Sequence, residues 1–330
     1  MNRRKLLLGA SALGTATLGG GLAAPAVFAQ DKYPSRGLKL VIPFPPGGPT
    51  DVLGRKYAER LSVLLGQPVV IDNKAGAGGI VGADLVAKSK PDGYTLLIGS
   101  SSTQVTSPLL MPNAPYHPVK DFTLFIIGFV PMVIACNPEL PCKTLPELIA
   151  LLKKDPQKYR YSSSGMGSIN HLGGELLKMK AGVESLHVPY KGNSPALQAA
   201  LSGEVDWLLD TFGTSFGHYK AGKLRYLAIC AEKRSALAPE MPTTAEVGLP
   251  DVQVLTVNPV ALPIGTPPEI VKVIAEATRK IMSEDKMQAE LRAMSIEPVA
   301  DADPVKSAAY FTGEMERWAP IIKASGAKME

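Results

Sequence analysis

Cysteine, histidine and aromatic residues are scarce in this 330-residue chain: three Cys, four His, and 6% Phe, Trp and Tyr. Cys136, Cys142 and Cys230 have no zinc-ligand spacing, and His117, His171, His187 and His218 are scattered, so no metal site and no cofactor is expected. Beyond the N-terminal segment no apolar run reaches the ~18 residues of a membrane span. The longest, residues 122–136, is interrupted by Gly128 and Pro131. Glycines recur before helical patterns without the Lys-Ser or Lys-Thr of a phosphate-binding loop and without G-x-G-x-x-G. Ser164, His171 and Asp210 supply the residue types of a hydrolase triad. However, no G-x-S-x-G elbow is expected in this chain, and His171 lies seven residues along what should be one helix. Catalysis is therefore a minor alternative.

The first residues differ from the rest. Arg3, Arg4 and Lys5 precede an apolar, Gly- and Ala-rich stretch ending in Val27-Phe28-Ala29. That pattern is a secretory leader over residues 1–29, cleaved after Ala29, using the general or the twin-arginine route; a membrane anchor is the competing reading. Loss of its three basic residues takes the formal net charge from +5 to +2, which gives no support to nucleic-acid binding. Export brings the cysteines into an oxidising compartment, where Cys136 and Cys142 can close a small loop or remain thiols.

The mature sequence alternates short β-rich runs with helical patterns. Leu38-Lys39-Leu40-Val41-Ile42 reads as a strand, and Thr50 or Asp51 is placed to cap a helix carrying Leu53, Tyr57, Leu61 and Leu64. Strands follow at residues 68–72 and 94–98, with a helix between them opened by Gly76-Ala77-Gly78-Gly79. After Pro131 the pattern restarts, with a capping box at Thr144 and Glu147, strands at 160–162, 186–188, 205–209 and 224–231, and helices between. Past Pro263 the chain turns helical, with a second capping box at Thr266 and Glu269 and a last helix from Asp303-Pro304. Two successive α/β units with a helical tail predict two lobes, each a mostly parallel sheet flanked by helices. Lobe 1 is expected over residues 30–131 and 255–330, and lobe 2 over 132–254.

Ligands of open parallel sheets sit at the carboxyl ends of the strands. Three loops there carry neutral donors and lead into helices or turns. Pro43-Phe44-Pro45-Pro46-Gly47-Gly48-Pro49-Thr50-Asp51 offers backbone amides at a helix start, while Ser100-Ser101-Ser102-Thr103 and Ser163-Ser164-Gly165-Met166-Gly167-Ser168 offer hydroxyls. Such a lining suits reversible capture of a small carboxylate.

The loop at 43–51, Gly76-Ala77-Gly78-Gly79, Asp92-Gly93-Tyr94-Thr95-Leu96-Leu97, His187-Val188-Pro189-Tyr190-Lys191-Gly192 and Ala221-Gly222-Lys223-Leu224-Arg225 occur in an order that resembles the Bug family. These are periplasmic receptors of tripartite tricarboxylate transporters. The resemblance covers the mature chain and implies a two-lobed Venus-flytrap fold that acts as a monomer. It would bind a di- or tricarboxylate or an aromatic acid and deliver it to a permease of one large and one small subunit. A sensory receptor for a signalling kinase is the alternative. By the same resemblance the ligand-binding residues are Phe44, Gly47, Gly48, Thr50 and Asp51 in the first loop, with Ser100 and Ser102 beside it. Lobe 2 would add Ser163, Ser164, Gly167, Ser168, Tyr190 and Asp210. Met166, Ile169 and Asn170 depart from the family's small polar residues; Met166 and Ile169 are either packing residues or a more apolar cleft wall, and this loop is expected to decide which acid binds.

Overall fold

The computed structural model describes residues 33–235 and 237–327; the leader expected over residues 1–29 lies outside the described residues. The chain runs β1 Leu38–Ile42, α1 Pro49–Leu65, β2 Val69–Asn73, α2 Ile80–Ala87, β3 Thr95–Ile98, α3 Ser107–Leu110 and then the long strand β4 Phe122–Cys136. Next come α4 Leu145–Lys154, β5 Arg160–Ser163, α5 Ile169–Ala181, β6 Leu186–Pro189, α6 Asn193–Ser202, β7 Trp207–Thr211, α7 Phe212–Lys220 and β8 Arg225–Ile229. It returns through β9 Leu255–Pro263, α8 Pro268–Ser283, α9 Asp285–Ala293, β10 Glu297–Pro298 and α10 Pro304–Ser325.

Strand order is β2-β1-β3-β9-β4-β7-β5-β6. The outer trios are parallel, as the β-α-β pattern predicts, whereas β9 and β4 run antiparallel to their neighbours. Strand β4 is the joint between the halves. Its residues 122–131 pair with β9, and Met132 onward pairs with β7 and β8. Pro131 sits at the changeover, where the loss of one ladder donor is least costly. The boundary expected at Pro131 is crossed by this one continuous strand. Residues 122–136 are buried almost throughout, so no alternation marks them as a strand.

Helix starts follow local chemistry in some places and depart from it in others. Asp303 caps α10 through the amides of Val305 and Lys306, and Thr144 accepts from Glu147 N–H at 3.3 Å. The Glu147 carboxylate reaches back one residue further than a capping box requires, to the Lys143 amide at 2.6 Å. Thr266 is not a cap: α8 starts at Pro268 behind Pro267, and the Thr266 hydroxyl donates to Pro263 O. Likewise Gly48, not Thr50 or Asp51, is the N-cap of α1, and it supplies no side-chain acceptor.

A core of Leu40, Leu53, Tyr57, Leu61, Phe125 and Ile281 lies under α1 and α8, and another of Val133, Leu208, Phe212 and Tyr226 under α6 and α7. The largest cluster runs continuously from Val41 and Leu97 through Leu110 and Phe311 to Leu172, Trp207 and Trp318. Helix α10 packs on β4 and α3 and also on α5. The C-terminal helix therefore straddles the two sheet halves instead of serving one of them. Among the described residues no helix is long and apolar enough to cross a membrane, and no group of three or more His, Cys, Asp or Glu is placed to hold a metal.

Candidate functional site

The loop after β1 is shaped by Asp51. Its buried carboxylate accepts from Gly47 N–H (2.9 Å) and Arg55 Nε (2.8 Å) on Oδ2, and from Arg55 Nη2 (3.0 Å) and Asn73 Nδ2 (2.9 Å) on Oδ1. Burial pushes this carboxyl up, but the bonds from Arg55, Gly47 and Asn73 outweigh it and hold Asp51 at about 2. Asn73 also donates to Phe44 O at 3.0 Å, tying both ends of the loop to the end of β2. Gly47 takes φ +86°, a conformation that favours glycine. Asp51, expected to face ligand, has its oxygens committed to this clamp. Asn73 and Arg55 were missed, although the rule that sites gather at carboxyl ends of parallel strands points to Asn73.

Neighbouring segments close around the loop. A Cβ on Gly79 would meet Thr103 Cγ2 at 2.6 Å and Phe44 Cζ at 3.2 Å, so the turn at 77–79, the Phe44 ring and the segment after β3 are in mutual contact. That segment is a π-helical turn, Ser102–Thr106, a form that recurs at functional sites. Ser100 is buried; its Oγ accepts from Ser102 N–H at 3.2 Å, and its N–H donates to Thr103 Oγ1 at 2.9 Å. From the crossing strand β9, Asn258 donates to Gly99 O at 2.9 Å and approaches Thr50 Oγ1 at 3.4 Å.

The second-half loop is built on a stacked column of rings. Trp207 stacks on Tyr161 (4.7 Å between centroids), Tyr161 on His187 (4.8 Å) and His187 on His171 (4.0 Å). His171 Nδ1 accepts from Gly167 N–H at 3.0 Å, which assigns its ring proton to Nε2. The Ser163 hydroxyl donates its one proton to Gly165 O, so at 2.6 Å it accepts from His187 Nε2–H. His171 is thereby neutral, and burial favours the neutral ring at His187 as well. Burial lowers both, and His187, with His171 and the Lys178 ammonium nearby, falls to about 3.

Ser168 caps α5 by accepting from His171 N–H and donates to Gly165 O at 2.7 Å. Ser164 donates to Asn170 Oδ1 at 2.9 Å, and Asn170 donates to Leu209 O at the end of β7. Tyr190 N–H bonds Ser163 O, but its phenol turns away to Glu204 at 2.7 Å. Ile169 and Asn170 are packing residues, whereas the Met166 side chain is half exposed. Asp210 is buried at the end of β7; burial raises it to about 6, and Thr214 Oγ1 donates to it at 2.8 Å. The two loop systems meet where a Cβ on Gly167 would lie 2.3 Å from Leu110 Cδ1 of α3.

No triad forms from Ser164, His171 and Asp210, each of which bonds elsewhere. Gly213-Thr214-Ser215-Phe216-Gly217 does spell G-x-S-x-G, which the sequence reading passed over. Ser215 is nevertheless fully buried inside α7, bonded to Tyr226 OH at 2.9 Å, rather than presented on a strand-to-helix turn.

Two α/β halves joined by crossing strands, with glycine- and serine-rich loops at their strand ends, define a two-lobed periplasmic solute-binding protein. Residues 53–327 match the tripartite tricarboxylate transporter family receptor model, and the chain belongs to that family, whose members are periplasmic solute-binding proteins. It is 36% identical to BugT of Bordetella pertussis over the full length of both chains. R. palustris Rpa4515, solved with adipate, is 35% identical and aligns over 90% of this chain and 99% of its own, with TM-score 0.82. MatC of Rhodopseudomonas palustris, solved with bound malate, is 31% identical over 88% of this chain and 100% of its own, with TM-score 0.78.

Proposed function

We propose that this chain is exported by its leader, cleaved after Ala29, and acts as a monomeric receptor. It captures a small organic carboxylate between the loops at 43–51 and 163–168 and delivers it to a permease of one large and one small membrane subunit. The observation that carries the carboxylate is the start of α1. Its N-cap has no side-chain acceptor, and the one carboxylate in its first turn is folded back onto Gly47, Arg55 and Asn73. The Thr50 and Asp51 amides at the start of α1 are thus left without a side-chain acceptor at the positive end of the helix dipole, while the charge of Asp51 is taken up by Arg55. Thr50, Ser102 and Ser164 stand on the rims as hydroxyl partners, while Asp51 shapes the anion seat instead of touching the ligand. Relatives solved with adipate and malate support a dicarboxylate.

Calorimetric titration of the mature chain with adipate, malate and the corresponding diamides tests this reading. A dicarboxylate should bind and its uncharged diamide should not. At ligand one hundred times Kd the folded state gains about 2.7 kcal/mol, read as a rise in Tm. Binding of the diamides with affinity equal to the acids would refute the anion seat.

A further inference from the structure

Cys136 and Cys142 lie outside the ligand site, and nothing in receptor function uses them. Cys136 ends β4, and Cys142 follows after Asn137-Pro138-Glu139-Leu140-Pro141. Their sulfurs are 3.8 Å apart and both residues are buried. The intervening loop is fixed from several directions. Asn137 Oδ1 accepts from Glu139 N–H at 2.9 Å, and Asn137 Nδ2 donates to Ala200 O at 2.8 Å. Cys142 N–H donates to Leu140 O at 2.8 Å. From β8, directly opposite Cys136 in the ladder, Arg225 Nη1 donates to Cys142 O at 2.6 Å and Leu140 O at 3.3 Å. The native fold thus holds the two thiols side by side without help from a covalent bond. Cys230, buried in the same core, has no thiol partner among the described residues.

We infer that Cys136 and Cys142 are the oxidation site of this protein and form an intraloop disulfide in the exported chain, leaving Cys230 as a permanent thiol. The inference rests on the export reading. With the loop in its native form the Cys142 thiol lies below its ordinary range, because Cys136 donates to it and the Arg225 guanidinium is near, so as these contacts form during folding Cys142 becomes the readier attacking sulfur. Burial raises Cys230 far above the usual thiol range. The co-reactant is a disulfide oxidant of the compartment. Cys142 thiolate attacks one oxidant sulfur to form a mixed disulfide and expels the other as a thiolate. Cys136 thiolate then attacks the Cys142 sulfur, forming Sγ–Sγ and expelling the second oxidant thiolate. Two cysteine thiols are oxidised, one disulfide is reduced to a dithiol, and the two cysteine protons end on the oxidant. Since both sulfurs are buried in the finished fold, exchange takes place while the exported chain folds, and the bond is afterwards shielded.

The test uses full-length protein recovered from the periplasm, alkylated in guanidinium before and after reduction and weighed intact. One alkylated thiol before reduction and three after are expected. The single tryptic peptide covering residues 121–143 should be about 2 Da lighter than its reduced form. Three alkylated thiols before reduction in chain that has lost its leader, or a bridge that includes Cys230, would overturn the assignment. Failure of export is a different result, seen as chain that retains the leader mass. Refolding reduced mature chain with oxidised glutathione gives a second reading that needs no export. It should yield the same peptide, and in that oxidised chain reductant should lower Tm while leaving a refolded C136S/C142S variant unmoved. Equal sensitivity of the two would count against a stabilising bridge.

Discussion

Asp210 places a carboxyl at the end of β7 with 2% exposure and no cation among its hydrogen-bond partners. Thr214 Oγ1 lies 2.8 Å from both Asp210 Oδ2 and Thr211 O, yet a hydroxyl has one proton to give. With Asp210 ionised, the carboxylate and the carbonyl compete for it. With Asp210 protonated, the acid donates to Thr214 and Thr214 donates to Thr211 O, so every group is satisfied. Burial raises the group from 3.8 to about 6, outweighing the bonds from Thr214, the Thr211 amide and Ser215, which lower it. A raised acid favours the folded state fully below its unfolded value, and that contribution is lost as pH rises through the folded value. At pH 7 the penalty is about 3 kcal/mol at most, from roughly two units at 1.36 kcal/mol each. Asp210→Asn keeps the shape and the donor-acceptor pattern of the protonated acid. It should stabilise the protein at pH 7 by about 1–3 kcal/mol, a Tm increase of up to roughly 5 °C for a chain this long. Near pH 4 the gain should shrink below about 1 kcal/mol, because the folded wild type is already protonated. Urea unfolding at both pH values measures the difference. Loss of stability at pH 7 would show that Asp210 is charged and paired in the native state, and the same gain at both pH values would show that its titration is not the source.

Gly167→Ala should weaken dicarboxylate binding at least tenfold, measured by calorimetry, because φ +73° strains any side chain and the new methyl would strike Leu110 where the loop systems meet. Leu110→Ala added to it should restore only part of the loss; full restoration would mean that the backbone conformation is unimportant. Acid should destabilise the protein through His187: its native value near 3 lies below the unfolded 6.5, so stability is complete above pH 6.5 and falls as pH drops toward 3. Allowing for partial solvent exposure, the loss by pH 4.5 is about 1–2 kcal/mol. Urea unfolding of His187→Gln should show a correspondingly smaller acid loss, and an unchanged one would exonerate the ring.

What the sequence made legible was whatever depends on near neighbours. Strand β1 falls on residues 38–42 as read, Thr144 caps as read, the last helix begins at Asp303-Pro304 as read, and the loops at strand ends are where the β-α-β rhythm put them. The failures share a cause, namely partners distant in the chain. The β4 strand was hidden because β9, β7 and β8 cover it from elsewhere in the sequence, leaving no polar face to alternate with. Asp51 reads as a ligand contact from its type and position; the bond from Asn73, arriving from β2, instead ties its carboxylate into the clamp. Ser163 pairs with His187, not Ser164 with His171, because β5 and β6 lie side by side in register. The family resemblance carried the fold across these gaps, since motif order over a whole chain encodes the long-range pairings that local patterns omit.

The electrostatics of the candidate site follow from the same clamp. An anion seat made of arginines would bind a dicarboxylate tightly and release it slowly. Here the nearest guanidinium, Arg55, is half exposed and already neutralised by Asp51. What remains is the helix end, worth roughly 0.3–1 kcal/mol and at most about 2 when partly buried, together with neutral hydroxyls and amides. Affinity must then come from many weak donors aligned at once, and on the proposed reading they are aligned only while the loop at 163–168 stays against Leu110 of α3. Separating the lobes removes half of the donors without breaking any single strong bond. A receptor that must give up its cargo to a membrane partner needs that property, and the neutral histidine column beneath residues 163–168 preserves it by ordering the loop without adding a second positive charge to the cleft.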